Sequence, residues 1–216
     1  MGVETRNETL KTQAGEMPLF VARPDGAERV PAVVVVQEAF GLNDNIRKIT
    51  QRLAGAGYYA VAPNFYYRQG GTVVGYDRLQ EAIGLMLQWT DDQVVADVRA
   101  VVAKLQNDQG VRADRIGITG FCMGGRASYV AACEVPELRA SVPYYGGGIA
   151  GQQFAPGATP PVTLTAKMKA AIQCHFGEKD SYIPLEAVEE IRRTLEKEKK
   201  TFEVHVYEGA GHGFMC

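Results

Sequence analysis

The stretch that decides the reading is Arg115-Ile116-Gly117-Ile118-Thr119-Gly120-Phe121-Cys122-Met123-Gly124-Gly125-Arg126-Ala127. A short run with isoleucines at alternate positions leads into Gly-x-Cys-x-Gly-Gly, and small residues of good helix propensity follow. This is a strand, a sharp turn and a helix, the layout of a nucleophile elbow with cysteine where serine is commoner. So tight a reversal strains the backbone at its central residue and leaves no space for Cβ atoms beside it, which accounts for Gly120 and Gly124. The turn also sets the Cys122 sulfur at a helix N-terminus, where unpaired N–H groups and the helix dipole favour thiolate over thiol. A structural cysteine buried beside a glycine turn is the competing reading, since free cysteines are among the most buried residues.

Outward from this turn, short β-branched runs alternate with helical periodicity, the pattern of a mostly parallel sheet with helices on its faces. Strands are predicted at residues 19–23, 32–36, 58–62, 115–119, 140–144, 171–176 and 202–207. Residues 32–36, Ala-Val-Val-Val-Val, suit burial on both faces. Helices are predicted at residues 44–54 and 92–105, and over Leu185, Val188, Ile191 and Leu195. Residues 64–76, rich in aromatics, glycine and arginine, and the Gly/Pro-rich residues 152–161 read as pocket walls.

An elbow nucleophile needs an acid and then a histidine from later strand ends. After residues 171–176 comes Gly177-Glu178-Lys179-Asp180, and after residues 202–207 comes Glu208-Gly209-Ala210-Gly211-His212-Gly213-Phe214. Ligands of open parallel sheets bind at that edge. His175 and His205 fall inside strands, which leaves His212 as the loop histidine. Asp180 is preferred to Glu178 for its place further out on the loop. Gly146-Gly147-Gly148-Ile149-Ala150-Gly151 matches the spacing of a dinucleotide loop, but residues 152–161 cannot open a long helix, so the match is read as chance.

With 216 residues, 46% of them hydrophobic and 22% charged, the chain suits one domain over residues 1–216. A formal charge of −2 supplies no basic surplus for nucleic acid or an anionic membrane surface. The N-terminal residues lack an apolar signal core, no run reaches membrane-spanning length, and the four cysteines form no CxxC pair. A cytoplasmic monomer or weak homodimer without cofactor or metal is expected.

The chain resembles the dienelactone hydrolase (carboxymethylenebutenolidase) family along nearly its whole length. The likeness rests on Gln37-Glu38-Ala39-Phe40-Gly41-Leu42-Asn43, on residues 63–69 (Pro-Asn-Phe-Tyr-Tyr-Arg-Gln), on residues 120–125, on Tyr144-Tyr145-Gly146 and on residues 209–214. It implies an α/β-hydrolase fold, a three-layer α/β/α arrangement around a mostly parallel sheet, and hydrolysis of a small ester or lactone through an acyl-enzyme. Cys122 is then the nucleophile, His212 the base, Asp180 its orienting acid, and Glu38 a carboxylate that takes the thiol proton when substrate arrives. Elbow geometry assigns the oxyanion to the backbone N–H groups of Met123 and Ala39. Candidate substrate-binding residues are Arg78, Tyr145 and Phe40. The family's reference enzymes hold a substrate carboxylate with two arginines. Arg78 lies close to the first place, and the second reads Met215-Cys216, which makes a general small ester the expected substrate. The fold ordinarily adds a helix after the histidine loop; as the sequence reads to Cys216, that helix is either cut off or absent, and in the second case apolar strand surface is expected to need a partner subunit or a compensating loop. The rival class is a non-catalytic relative that binds a small molecule or a protein.

Overall fold

A computed structural model describes residues 2–151, 153 and 158–216. Its eight strands are β1 (Val3–Thr12), β2 (Gly15–Pro24), β3 (Val30–Val36), β4 (Tyr59–Pro63), β5 (Val111–Phe121), β6 (Ala140–Tyr144), β7 (Ala171–Gly177) and β8 (Phe202–Tyr207). They form one sheet in the order β1-β2-β4-β3-β5-β6-β7-β8. From β4 to β8 neighbouring strands are parallel, while β2 runs antiparallel to β4 and β1 antiparallel to β2. The expected α/β-hydrolase architecture is therefore present. β3 lies between β4 and β5, and Val34, Val35 and Val36 are fully buried there.

The helices are α1 (Asp44–Gly55), α2 (Leu79–Met86), α3 (Asp91–Gln106), α4 (Met123–Glu134) and α5 (Leu185–Lys197). Asn43 caps α1 by accepting the Ile46 N–H, and Thr90 with Gln93 forms a capping box on α3. α1 packs on β2 and β4; α4 packs on β5 and β6 and against α3. On the other face of β5 and β6, beside α1, runs a groove of about 620 Å³ lined by Ile49, Leu53, Ile118, Val142 and Met215. Ile118 is buried all the same, and Phe214 and Met215 of the last loop pack against the core, so a loop supplies part of the cover.

Two elements were not expected from sequence. β1 is almost wholly polar, and its strand character comes from ten paired positions on β2 across a turn at Gly15, whose φ is 130°. α2 is short and carries apolar residues on most sides, which hides its period. The glycine-spaced residues 146–151 open no helix among the described residues, and the next element is a 3-10 turn over Pro161–Lys167. Of the segment 152–161, residues 152 and 154–157 lie outside the described residues.

The aromatic stretch 64–76 is anchored to α3. Asp97, 1% exposed, takes both terminal nitrogens of Arg68 at 2.6 and 2.9 Å and the Tyr67 hydroxyl at 2.9 Å. Removing one partner of such a pair leaves the other charge without compensation. Asp97→Ala is expected to cost about 3 kcal/mol of stability, measured as a lower denaturant midpoint at unchanged slope.

Candidate active site

The turn between β5 and α4 has the strained geometry that its sequence implies. Cys122 has φ 56° and ψ −118°, a conformation that a non-glycine residue holds only when its surroundings impose it. Here the Cys122 N–H donates to the Tyr144 carbonyl at 3.1 Å, and the Cys122 carbonyl accepts from the N–H groups of Gly125 and Arg126 at 3.0 and 3.2 Å. A Cβ on Gly120 would strike the Gly124 carbonyl, and one on Gly124 the carbonyls of Val36 and Gln37. The first turn of α4 thus lies directly against the ends of β3 and β5.

Past β7 and β8, two loops bring the acid and the histidine together. Asp180 Oδ2 lies 2.8 Å from His212 Nδ1, and Asp180 Oδ1 accepts the Tyr182 N–H at 2.9 Å. Glu178, the competing acid, instead accepts the Gly209 N–H at 2.8 Å and ties the base of the histidine loop. The His212 ring lies edge-on to Tyr145 and Tyr182, each 5.1 Å away, and keeps 22% of its side-chain surface exposed. Burial alone would lower its pKa. The Asp180 hydrogen bond, together with hydrogen bonding and charge from Cys122, outweighs burial and carries it up to about 9. His212 is therefore bonded to the Asp180 carboxylate and feels the charge of the Cys122 sulfur. His175 and His205 lie within β7 and β8, stacked at 5.2 Å and remote from this role.

Glu38 is 2% exposed. Its Oε1 accepts from the Tyr76 hydroxyl at 2.5 Å and Asn43 Nδ2 at 3.1 Å, and its Oε2 faces the Cys216 thiol at 3.1 Å. The carboxylate thus has three donors, none of them Cys122. Met123 opens α4, so its N–H has no acceptor within the helix. Tyr66, fully buried, sets its hydroxyl 3.0 Å from the Ala39 carbonyl and 3.1 Å from the Met123 sulfur, joining the two segments expected to hold the oxyanion. Tyr66, Tyr76, Asn43, Tyr182 and Cys216 were not singled out from sequence. The signal that could have found Asn43 is its place just before the helical run at residues 44–54, where an Asn suits a cap; nothing in the others' spacing marks a polar role.

The dienelactone hydrolase family model matches residues 17–216. This chain belongs to the dienelactone hydrolase family. With the family comes membership of the carboxylic-ester hydrolases. A protein of Synechocystis named "Putative carboxymethylenebutenolidase" is 34% identical over 99% of this chain and 87% of its own length. One of the same name from Salmonella typhimurium is 38% identical over 95% of this chain and 76% of its own. In structure, a "Putative Dienelactone Hydrolase" of Klebsiella pneumoniae superposes with a TM-score of 0.89 at 34% identity, covering 99% of this chain and 89% of that one.

Against the family pattern of substrate-binding arginines, Arg78 stands at the start of α2, exposed and paired with Glu81 at 2.9 Å. Tyr145 is fully buried with φ 37°, packing on His212 and Phe214, so its surface serves the histidine. Phe40 is partly buried against Tyr76 at 4.5 Å. A cleft of about 340 Å³ beside Met123 is lined by Met86, Leu87, Trp89, Val94 and Arg126, and Arg126 is paired with Asp91. Among the described residues, no group of His, Cys, Asp and Glu is disposed to hold a metal ion, and no helix is long and apolar enough to cross a membrane.

Since folding raises the His212 pKa to about 9 from an ordinary 6.5, the folded chain holds the extra proton between those values. That contribution to stability is complete below about pH 6.5 and is lost as pH rises through about 9. NMR titration of the ring is expected to give a midpoint near 9, and Asp180→Asn is expected to lower it.

Proposed function

We propose that the chain hydrolyses small, uncharged carboxylic esters or lactones through a Cys122-His212-Asp180 triad and a thioester intermediate. The observation that carries this reading is the His212 ring, fixed to buried Asp180 at 2.8 Å on one side and influenced by Cys122 on the other. In the first step the Cys122 thiolate attacks the ester carbonyl carbon, and the carbonyl oxygen takes up negative charge toward the N–H groups of Met123 and Ala39. As the tetrahedral adduct collapses, imidazolium His212 gives its proton to the departing alkoxide, leaving an acyl thioester on Cys122. His212, now neutral, takes a proton from water; the hydroxide adds to the thioester, the acid leaves and thiolate returns. Asp180 holds Nδ1–H throughout, so Nε2 faces the reaction.

An uncharged substrate is favoured by the commitments of the nearby arginines, Arg126 to Asp91 and Arg78 to Glu81. The walls beside Met123 are otherwise largely apolar, as a small alkyl or aryl acyl group requires. The four cysteines are free, which suits a reducing compartment, and we place the enzyme in the cytoplasm on that ground.

With p-nitrophenyl acetate, the wild-type chain should turn over and accumulate a +42 Da adduct on Cys122, about the mass of one acetyl group. Cys122→Ala should reduce turnover to background; full activity in that variant would overturn the assignment. Turnover should fall with loss of one proton as pH rises past about 9, when His212 no longer carries the leaving group's proton. Tyr66→Phe, which frees the Ala39 carbonyl while sparing the triad, should lower kcat roughly tenfold with little change in KM, as loss of a transition-state contact does.

A further inference from the structure

The two edges of the sheet are defended unequally. β1, at one end, carries Glu4, Arg6, Glu8 and Lys11, charges of the kind that keep an edge strand from pairing with another chain. β8, at the other end, reads Phe202-Glu203-Val204-His205-Val206-Tyr207, with no lysine, proline or bulge, and leaves Val206 and Tyr207 exposed. Its inner ladder identifies which of its backbone groups are free. The Ile172 N–H donates to the Thr201 carbonyl and the Glu178 N–H to the Tyr207 carbonyl, each at 3.0 Å, so odd-numbered residues here turn their amide groups to β7. Alternate residues of a strand point the other way, and Phe202, Val204 and Val206 thus present N–H and C=O groups along the open edge. Arg192 Nη2 donates to the Val204 carbonyl at 3.2 Å, which leaves that oxygen a second lone pair.

We infer that β8 is a homodimer interface: a second copy of this chain adds its own β8 antiparallel across a two-fold axis at Val204, running one sheet through both subunits. An axis perpendicular to the sheet keeps the two faces aligned, so opposed residues are both odd-numbered or both even-numbered. Centred on Val204, the pairing sets Phe202 against Val206 of the second copy, Val204 against its counterpart, and Glu203 against His205 of the second copy. The outward amide groups of all three even-numbered residues then find partners. Apolar side chains oppose apolar ones on the face that β8 shares with buried Cys174 and Phe176, and on the other face a carboxylate opposes an imidazole on both sides of the axis. Within one chain Glu203 already meets His205 at 2.8 Å, so each imidazole gains a second carboxylate. The adjacent registers do worse. Centring on Glu203 opposes two carboxylates and leaves Val206 without a partner, and centring on His205 opposes two imidazoles and leaves Phe202 without one. The strand is complementary to itself in one register, and it leads directly into the loop that carries His212.

Sedimentation of the wild-type chain over a concentration series should show a reversible monomer–dimer equilibrium, with the small area of an edge contact setting it among the weaker complexes. Val204→Pro removes an N–H on each side of the axis, at a position where an edge strand accepts proline because the inner ladder does not use that group. It should weaken dimerisation about tenfold, as loss of two hydrogen bonds implies. The register is read by oxidative cross-linking. Directly opposed residues outside the hydrogen-bonded pairs have Cα atoms about 4.5 Å apart, within disulfide reach, whereas diagonal neighbours at about 7–8 Å are beyond it. Mixing Glu203→Cys chains with His205→Cys chains should therefore give a disulfide between positions 203 and 205, identified by peptide mass spectrometry, and neither variant should link to itself at the new position. A chain that stays monomeric at every concentration, a dimer indifferent to Val204→Pro, a mixture that fails to cross-link, or Glu203→Cys linked to itself would refute the interface. If Val204→Pro unfolds, the cross-linking pattern decides alone. Neither readout uses ester turnover, so failure of the proposed function leaves this outcome independent.

Discussion

The close approach of the first turn of α4 to the ends of β3 and β5 is the constraint from which the site follows. Backbone meets backbone there: the space that a Cβ on Gly124 would take belongs to the carbonyls of Val36 and Gln37. Because the helix cannot stand further off, the residue between strand and helix is forced to φ 56°, and its side chain is thrown outward from the sheet edge. The same approach brings the free N–H of Met123 near the segment after Val36 that carries Glu38 and Ala39. The positions of the proposed nucleophile, the proposed oxyanion donors and the buried carboxylate are therefore consequences of one packing contact.

Asp180 and His212 reach this point by a second kind of constraint, main chain docking on main chain. The loop after β7 donates the Glu178 N–H to the Tyr207 carbonyl at 3.0 Å and the Lys179 N–H to the Ala210 carbonyl at 2.8 Å. Glu178 returns the connection with its carboxylate on the Gly209 N–H. Two loops so joined are held in register, and the 2.8 Å separation of Asp180 from His212 is supported further by the Tyr182 N–H on the other carboxylate oxygen. Glu178 looked a rival to Asp180 in sequence because both acids occupy one loop. In the structure they divide the work, one building the loop pair and the other orienting the ring.

What could be read from the chain was what is encoded locally. The elbow lies within six residues, the parallel strands appear as β-branched runs, and α1 and α3 carry both period and caps. The order of nucleophile, acid and histidine then followed from the topology of a parallel sheet. β1 escaped because an outer strand need not be apolar: its regularity is supplied by β2, not by its own composition. Tyr66 and Cys216 escaped for a different reason. Tyr66 acts between residues 27 and 57 positions away, and Cys216 acts on a carboxylate 178 positions away, so no window of sequence contains both partners. Long-range polar contacts are decided by the packing, which the local pattern does not record.

His175 and His212 show why environment and not residue type sets the chemistry here. His175 has neutral partners, the Tyr207 hydroxyl at 2.8 Å and Gln173 at 3.2 Å, so burial and the neighbouring His205 push its pKa down to about 4. His212 is half-buried, yet it is bonded to a carboxylate and feels the charge of a sulfur, and it holds its proton to about 9. The thiols differ by the same logic. Cys133 and Cys174, sealed in the core, are pushed up by burial, and Cys216 by burial and Glu38. Cys122, the proposed nucleophile, is under the influence of a His212 that holds its proton to about 9, and a neighbouring imidazolium is what favours thiolate over thiol. A charged partner on one side and a strained, outward-facing backbone on the other are together sufficient to distinguish one sulfur among four.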